Sequence, residues 1–241
     1  MAGRRRAAVV FGARRLGRGI AGHLSGSGWA VTAGARSEST ITDLGEVHPE
    51  VHGVAVDLGE PGATGRVLED ARDRFGRLDL VVNAISDPQV SASALSREAG
   101  ASAAFKSAIG TAVSPVHHVV DAAVGILRAQ GGGCFIQITG GLALGAKPGT
   151  GALAATGYAT RALIEGAVPE ARGDGVHVAL LVIRGLVESD LTADALEGKP
   201  ETASMMDDDV TAAVDFLVAQ GDARAWTHEL VLTPPAAPWQ G

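Results

Sequence analysis

Ala7-Ala8-Val9-Val10-Phe11-Gly12-Ala13-Arg14-Arg15-Leu16-Gly17-Arg18-Gly19-Ile20 is the stretch from which the fold is read. Five apolar residues ended by glycine have the length and composition of a buried strand. Gly12 permits a tight turn, and an apolar-periodic segment over 18–27 follows as a helix. A strand that passes through glycines into a helix brings backbone amides and the positive helix terminus to one point, where a Cβ would hold a phosphate away. The stretch therefore predicts a parallel α/β unit with an anion-binding turn made by Gly12, Arg14, Arg15, Leu16 and Gly17. Glycine makes up 33 of 241 residues, about twice the usual ~7%. Glycines that only allow close helix–sheet packing are thus the competing reading of the same residues.

The alternation continues to the C-terminus. Strands are expected over 30–35, 54–56, 78–82, 135–138, 176–183 and 229–232, with helix over 91–130, 150–171 and 210–219. Pro115 interrupts the first of these helices, because proline lacks an amide donor and clashes with the preceding turn. Gly173 and Gly175 end the second, and Asp207, Asp208 and Asp209 open the third at the positive end of its dipole. This is the pattern of a doubly wound, mostly parallel α/β sheet with helices on both faces, Rossmann-like, in a single domain over 1–241. Residues 234–241 read as a short tail, either exchanged between subunits or unordered.

Composition excludes several function classes. Hydrophobic residues are 46% of the chain, and no apolar run approaches the roughly 20 residues of a membrane span, so a soluble protein is expected. Residues 4–6 with the following apolar run faintly resemble a signal peptide, but Gly12, Arg14 and Arg15 end that run too soon. Cys134 is the only cysteine, which rules out an internal disulfide and fits a reducing, cytoplasmic setting. A net charge of −7 argues against a nucleic-acid partner. His117 and His118 would point about 100° apart on a helix, so no metal site is expected from them.

The second strand ends in Ala33-Gly34-Ala35-Arg36-Ser37, the third in Val56-Asp57-Leu58, and the fourth in Val82-Asn83-Ala84-Ile85-Ser86. In their order along the chain these segments resemble the short-chain dehydrogenase/reductase family, and the similarity extends through Val231. The family's glycine motif is Gly-xxx-Gly-x-Gly; Gly12 and Gly17 match its outer glycines with the loop one residue shorter, and the central glycine has no counterpart. A dinucleotide fold preferring NAD would carry an acidic residue at position 36, whereas Arg36, aided by Arg14 and Arg15, suits the 2′-phosphate of NADP(H). The resemblance further implies Asp57 and Leu58 beside adenine, and Asn83 and Ala84 under the cofactor, with Asn83 bridging strands. Exposed arginines and an ordinary turn aspartate are the alternatives.

The catalytic half departs from the family. There a tyrosine hydroxyl protonates the carbonyl oxygen as hydride arrives, a lysine lowers its pKa, a serine orients the oxygen, and an asparagine completes the tetrad. Matching Phe135-Ile136-Gln137-Ile138-Thr139-Gly140 to the family's fifth strand and Gly175-Val176-His177-Val178 to its sixth fixes the register without an insertion. The serine then falls on Gly140, the tyrosine on Leu153 and the lysine on Gly157. Asn83 is the only asparagine in the chain and Tyr158 the only tyrosine. Tyr158, with Arg161 three residues on, is a candidate substitute acid, although an arginine stays charged and cannot relay a proton. Thr139 is a candidate for orienting a ligand. Gly185-Leu186-Val187 stands in place of the family's Pro-Gly turn, at the start of the expected substrate loop.

Three functions remain open from these residues. One is reduction of an activated carbonyl or conjugated double bond by NADPH, with the proton drawn from water or substrate. Another is non-redox cyclisation, dehydration or isomerisation of a small molecule held in the emptied pocket. The last is a catalytically inactive partner or regulatory subunit of an active relative. All three imply a homo-oligomer (dimer or tetramer) or a hetero-oligomer with a related subunit.

Overall fold

The computed structural model describes residues 5–85, 101–189, 192–221 and 223–236. Five strands, β1 (Ala7–Phe11), β2 (Ala30–Ala35), β3 (His52–Ala55), β4 (Leu80–Asn83) and β5 (Gly133–Gly140), are joined by β6 (Val176–Ile183) and β9 (Glu229–Leu232) in one seven-stranded sheet of order β3-β2-β1-β4-β5-β6-β9. Every pairing in it is parallel. A short parallel pair, β7 (Leu186–Val187) with β8 (Ser204–Met205), and the single-turn helix α7 (Ala193–Leu196) between them fold the loop that follows β6. The order reverses between β1 and β4, and ligands of open α/β sheets bind in the crevice outside such a reversal.

The strands are apolar because both faces are covered. On one face α1 (Leu16–Gly26), α2 (Glu38–Val47) and α8 (Asp207–Val218) pack Ile20, Leu24, Leu44 and Val214 against the sheet. On the other, α3 (Ala63–Phe75), α5 (Ser114–Ala129) and α6 (Gly151–Arg172) contribute Leu68, Val119, Leu127 and Ile164. Each such fully buried side chain is worth about 1.5–3 kcal/mol of transfer free energy. Glycine ends α3 in the left-handed conformation at Gly76 (φ 80°), whose amide closes the helix on Arg72.

Several boundaries differ from the sequence reading. α2 and α3 lie between strands where no helix is expected from sequence; α2 buries only Leu44, whereas α3 buries Ala63, Thr64, Val67, Leu68 and Ala71 along one face. α4 (Ala101–Ala112) and α5 break near Pro115, which sits at the second position of α5 where its missing amide costs nothing. The expected start of this helix at 91 lies outside the described residues. The stretch Phe105–Ala129 is long and apolar enough to cross a membrane, by length and composition alone, contrary to the expectation that no segment reaches that limit. Val119, Val120, Ala123 and Leu127 of this stretch pack into the core.

Residues 233–236, following β9, pack on the loop after β6. Pro234 is buried over Gly185, where a Cβ would meet its ring at 2.6 Å, and the Ala236 amide donates to the Thr202 carbonyl at 2.9 Å. This segment thereby straps the loop between β6 and α8.

Candidate functional site

The glycine turn after β1 is built tightly. Gly12 has φ +88°, and a Cβ there would stand 2.6 Å from both the carbonyl carbon and oxygen of Ala84. The Gly12 and Ala13 amides donate to the Gly34 carbonyl at 2.9 and 3.2 Å, and the Ala84 amide donates to Phe11 at 2.9 Å, which lock the turn between β2 and β4. A Cβ at Gly17 would stand 2.5 Å from the Gly12 carbonyl oxygen, so the shortened loop closes glycine on glycine. α1 begins at Leu16, two residues before the expected start, and no side chain caps it. In its first turn the Arg18 and Gly19 amides donate to the Arg15 carbonyl at 2.8 and 3.3 Å, which leaves those of Leu16 and Gly17 at the N-terminal end.

Around this turn Arg14 and Arg18 are exposed and Arg15 is half-buried; Arg36 is exposed just past β2. Ser37 caps α2 by accepting from the Thr40 amide at 3.2 Å. Asp57 is exposed and its Oδ1 accepts from the Gly59 amide at 2.9 Å, an ordinary aspartate turn that leaves its second oxygen available. Leu58 is buried, and His118 Nδ1 on α5 donates to its carbonyl at 2.9 Å. Asn83 is fully buried; its Nδ2 donates to Gln137 Oε1 at 2.8 Å, and Gln137 Nε2 donates to the Asn83 carbonyl at 3.3 Å. That reciprocal pair ties β4 to β5 and holds the strand end on which Ala84 meets Gly12.

Of the three positions singled out in the sequence, Gly140 ends β5 and Gly157 lies against the turn that follows it, while Leu153 packs elsewhere on α6. Gly140 is exposed and open, with nothing within 4 Å of an added Cβ. Leu153 on α6 is half-buried against Ala108 and Ala152. Gly157 rests on the turn at Gly141–Ala143, where a Cβ would lie 3.0 Å from the Ala143 amide nitrogen. Thr139 is half-buried beside Gly140. Tyr158 is 46% exposed, and Arg161 turns away from it, donating to both carboxylate oxygens of Glu229 at 2.8 and 3.2 Å. Tyr158 and Arg161 are therefore not a bonded pair.

The sequence over residues 6–200 matches the family model described as short chain dehydrogenase. The chain belongs to the short-chain dehydrogenase family. It is 31% identical over 160 residues to an uncharacterised oxidoreductase of Mycobacterium tuberculosis; the match covers 64% of this chain and only 56% of that relative. A short-chain type dehydrogenase/reductase of Mycobacterium ulcerans has the same fold, with a TM-score of 0.83 at 21% identity over 94% of this chain and 87% of the other. A metagenomic short-chain oxidoreductase in complex with NADP superposes with a TM-score of 0.77 at 21% identity over 95% and 96%. The alcohol dehydrogenase of the archaeon Thermococcus sibiricus, complexed with 5-hydroxy-NADP, does so at 0.76 and 24% identity over 98% and 100%.

Within this short-chain dehydrogenase fold, further residues frame the crevice that sequence reasoning passed over. Arg184, directly after β6, lies with its stem against Gly141: a Cβ at Gly141 would be 3.0 to 3.3 Å from Arg184 Cγ, Cα and Cβ. The one signal was the missing Pro-Gly turn, read as beginning a residue later. Asp207 at the start of α8 packs on Gly19 of α1, its carboxyl raised by burial, while Arg18 lowers it and Asp208 raises it. Cys134 is buried, and burial pushes its thiol up to about 12, so it is no nucleophile. His117 lies in α5 with His118, and no cluster of metal-ligating side chains occurs among the described residues.

Proposed function

We propose that the protein is a divergent NADP(H)-binding short-chain dehydrogenase, acting on a small carbonyl or conjugated metabolite in a pocket that has lost its proton-donating tetrad. The observation that carries this reading is the contrast between two ends of one crevice. The turn at Gly12 and the uncapped first turn of α1 retain a cradle for a pyrophosphate, with arginines around it. The positions facing a nicotinamide hold Gly140, Leu153 and Gly157 instead of acid and base.

Leu16 and Gly17 would hold the pyrophosphate on backbone amides, Gly12 would keep the approach free of a side chain, and Arg14 and Arg15 would supply charge. Arg36 would take the 2′-phosphate, with Asp57 and Leu58 beside the adenine and Asn83 and Ala84 as the floor. When bound, the reduced cofactor supplies hydride to an electrophilic carbon. Thr139, the residue before the vacated serine position, would orient the substrate oxygen, with Tyr158 the other candidate. The proton for that oxygen comes from water or substrate, which slows an ordinary ketone reduction by about 10²- to 10⁴-fold and restricts the reaction to activated substrates. The same emptied pocket suits cyclisation, dehydration or isomerisation. We place the protein in the cytoplasm as an oligomer, with no nucleic-acid or membrane partner.

A specific contact favours a second reading. Gly157 sits so close to Ala143 that a side chain there would displace the turn after β5, and this supports a catalytically inactive partner of an active relative. Calorimetric titration with NADPH, NADP and NADH tests the first reading. NADPH is expected to bind in preference to NADH, and Arg36→Ala is expected to weaken NADPH about 10- to 100-fold while leaving NADH unchanged. An absence of heat at millimolar NADPH overturns it. Binding without turnover of activated carbonyls or conjugated substrates would favour the second.

A further inference from the structure

We propose that the cavity between α3 and the outer edge of the sheet is a second binding site, remote from the crevice, and that it takes a small zwitterion with an apolar body, the chemistry of an apolar α-amino acid. The inference stands apart from the dinucleotide reading. β3 is the edge strand and α3 packs toward β1, which leaves a cavity of about 470 Å³ over β2 and β3. That volume is in the range of small-molecule sites. β3 begins at His52 and α3 returns antiparallel to it, so Arg74, near the end of α3, stands beside the first residue of the strand. The cavity therefore lies at the end of the sheet away from the glycine turn.

Val54, Val67 and Ala71 give this cavity an apolar wall. Thr32 interrupts the apolar run of β2 and belongs to the same lining; it is 1% exposed, and its hydroxyl has no hydrogen-bond partner among the described residues. A buried hydroxyl without a partner is a standing cost that a polar ligand group relieves. His52 is the register partner of Thr32 on the neighbouring strand. Burial and then Arg74 hold its pKa below the ordinary histidine value, against the opposing effect of Asp70, so the ring is a neutral hydrogen-bonding group at neutral pH.

Asp70 and Arg74 are exposed, opposite in sign and one helical turn apart, and both line the cavity, yet neither forms a salt bridge with any described residue. Arg161 and Glu165, at the same spacing on α6, do pair, at 3.0 Å. Asp73 is already held by Arg72 at 2.9 Å. One carboxylate and one guanidinium thus stand unpaired over an apolar wall, about 5–6 Å apart at their Cβ atoms. An α-amino acid carries the complementary groups on one carbon: an ammonium for Asp70, a carboxylate whose two oxygens fit the guanidinium fork, and a side chain for the valines. A simple anion would meet the aspartates and a simple cation the arginine. Only a dipolar ligand satisfies both signs.

The test uses the full isotope-labelled chain and three ligands of one shape: leucine, leucinamide, which lacks the carboxylate, and isocaproate, which lacks the ammonium. Leucine is expected to bind with a Kd of roughly 1 mM, to shift amide resonances of residues that line the cavity, and to bind about tenfold more tightly than either analogue. Asp70→Asn should abolish its advantage over isocaproate, and Arg74→Gln its advantage over leucinamide. Thr32→Val should weaken leucine about threefold to tenfold and leave the protein at least as stable in urea, because the hydroxyl it removes has no partner to lose. NADPH titration of the variants should match the wild type. No shifts with leucine at about 20 mM, shifts confined to other parts of the chain, equal binding of the three ligands, or discrimination that survives in both charge variants would overturn the proposal. If Thr32→Val fails to fold, the two exposed variants carry the test. The leucine result in a protein that does not bind NADPH would sink the dinucleotide reading and leave this site standing.

Discussion

At the scale of single residues, Gly12 is the most constrained position in the crevice. A left-handed backbone costs a side-chain-bearing residue about 1–2 kcal/mol, and overlap with the Ala84 backbone adds overpacking of about 1–3 kcal/mol. Gly12→Ala is accordingly expected to lose more than about 2 kcal/mol of stability in urea unfolding, together with NADPH affinity; a variant as stable as wild type would show that the turn can open. Gly12 was legible in the sequence because a strand, a glycine and a helix in succession admit few geometries. Asn83 was legible in the same way, and its bridge to Gln137 is present. The contacts of Gly157 with Ala143, Arg184 with Gly141 and His118 with Leu58 were not, because each joins residues whose proximity follows only from the assembled sheet.

At the scale of elements, strands with strong apolar runs ended where their sequences indicate: β1, β2, β6 and β9 match the expected limits, while α2, which buries only Leu44, and α3, whose small apolar stripe is interleaved with charges, were passed over. β6 carries a polar residue inside an otherwise apolar run, and that residue sets a pH dependence. His177 stacks on Trp226 at 5.2 Å, its Nε2 donates to the Thr227 carbonyl at 2.9 Å, and its Nδ1 faces the Cys134 thiol at 3.8 Å. Burial is the largest cause that holds its pKa below the ordinary histidine value, and His228 adds to it. With the folded pKa depressed, the neutral ring's contribution is whole above about pH 6.5 and is lost as pH falls from there toward the folded value, because the unfolded chain takes up the proton first. Asp207 has the opposite sign: its raised pKa lessens stability as pH rises from the ordinary carboxylate range. Denaturation midpoints measured from pH 7.5 down to 5 are expected to fall in wild type and to fall less in His177→Gln. Parallel curves for the two proteins would contradict this.

At the scale of the whole molecule, strand order and helix placement bring together one end of every central strand, so loops distant in sequence share a crevice. The family's order was readable from the succession of motifs. What the loops do there was not, because the packing of the tail on the loop after β6 depends on contacts between segments far apart in the sequence. The same central packing encloses Cys134, 5% exposed and with its thiol pushed up to about 12 from 9.0. The raised pKa lowers the thiolate population at neutral pH, and burial excludes the reagent as well. Because this is also the chain's single cysteine, alkylation should proceed much faster in denaturant than in native buffer, and its native rate should rise in step with any substitution that destabilises the sheet. Equal rates in the two conditions would mean that the core stands open. The interior thus holds a chemical clock that runs only when the fold is undone, and mass spectrometry of one alkylated site is enough to read it.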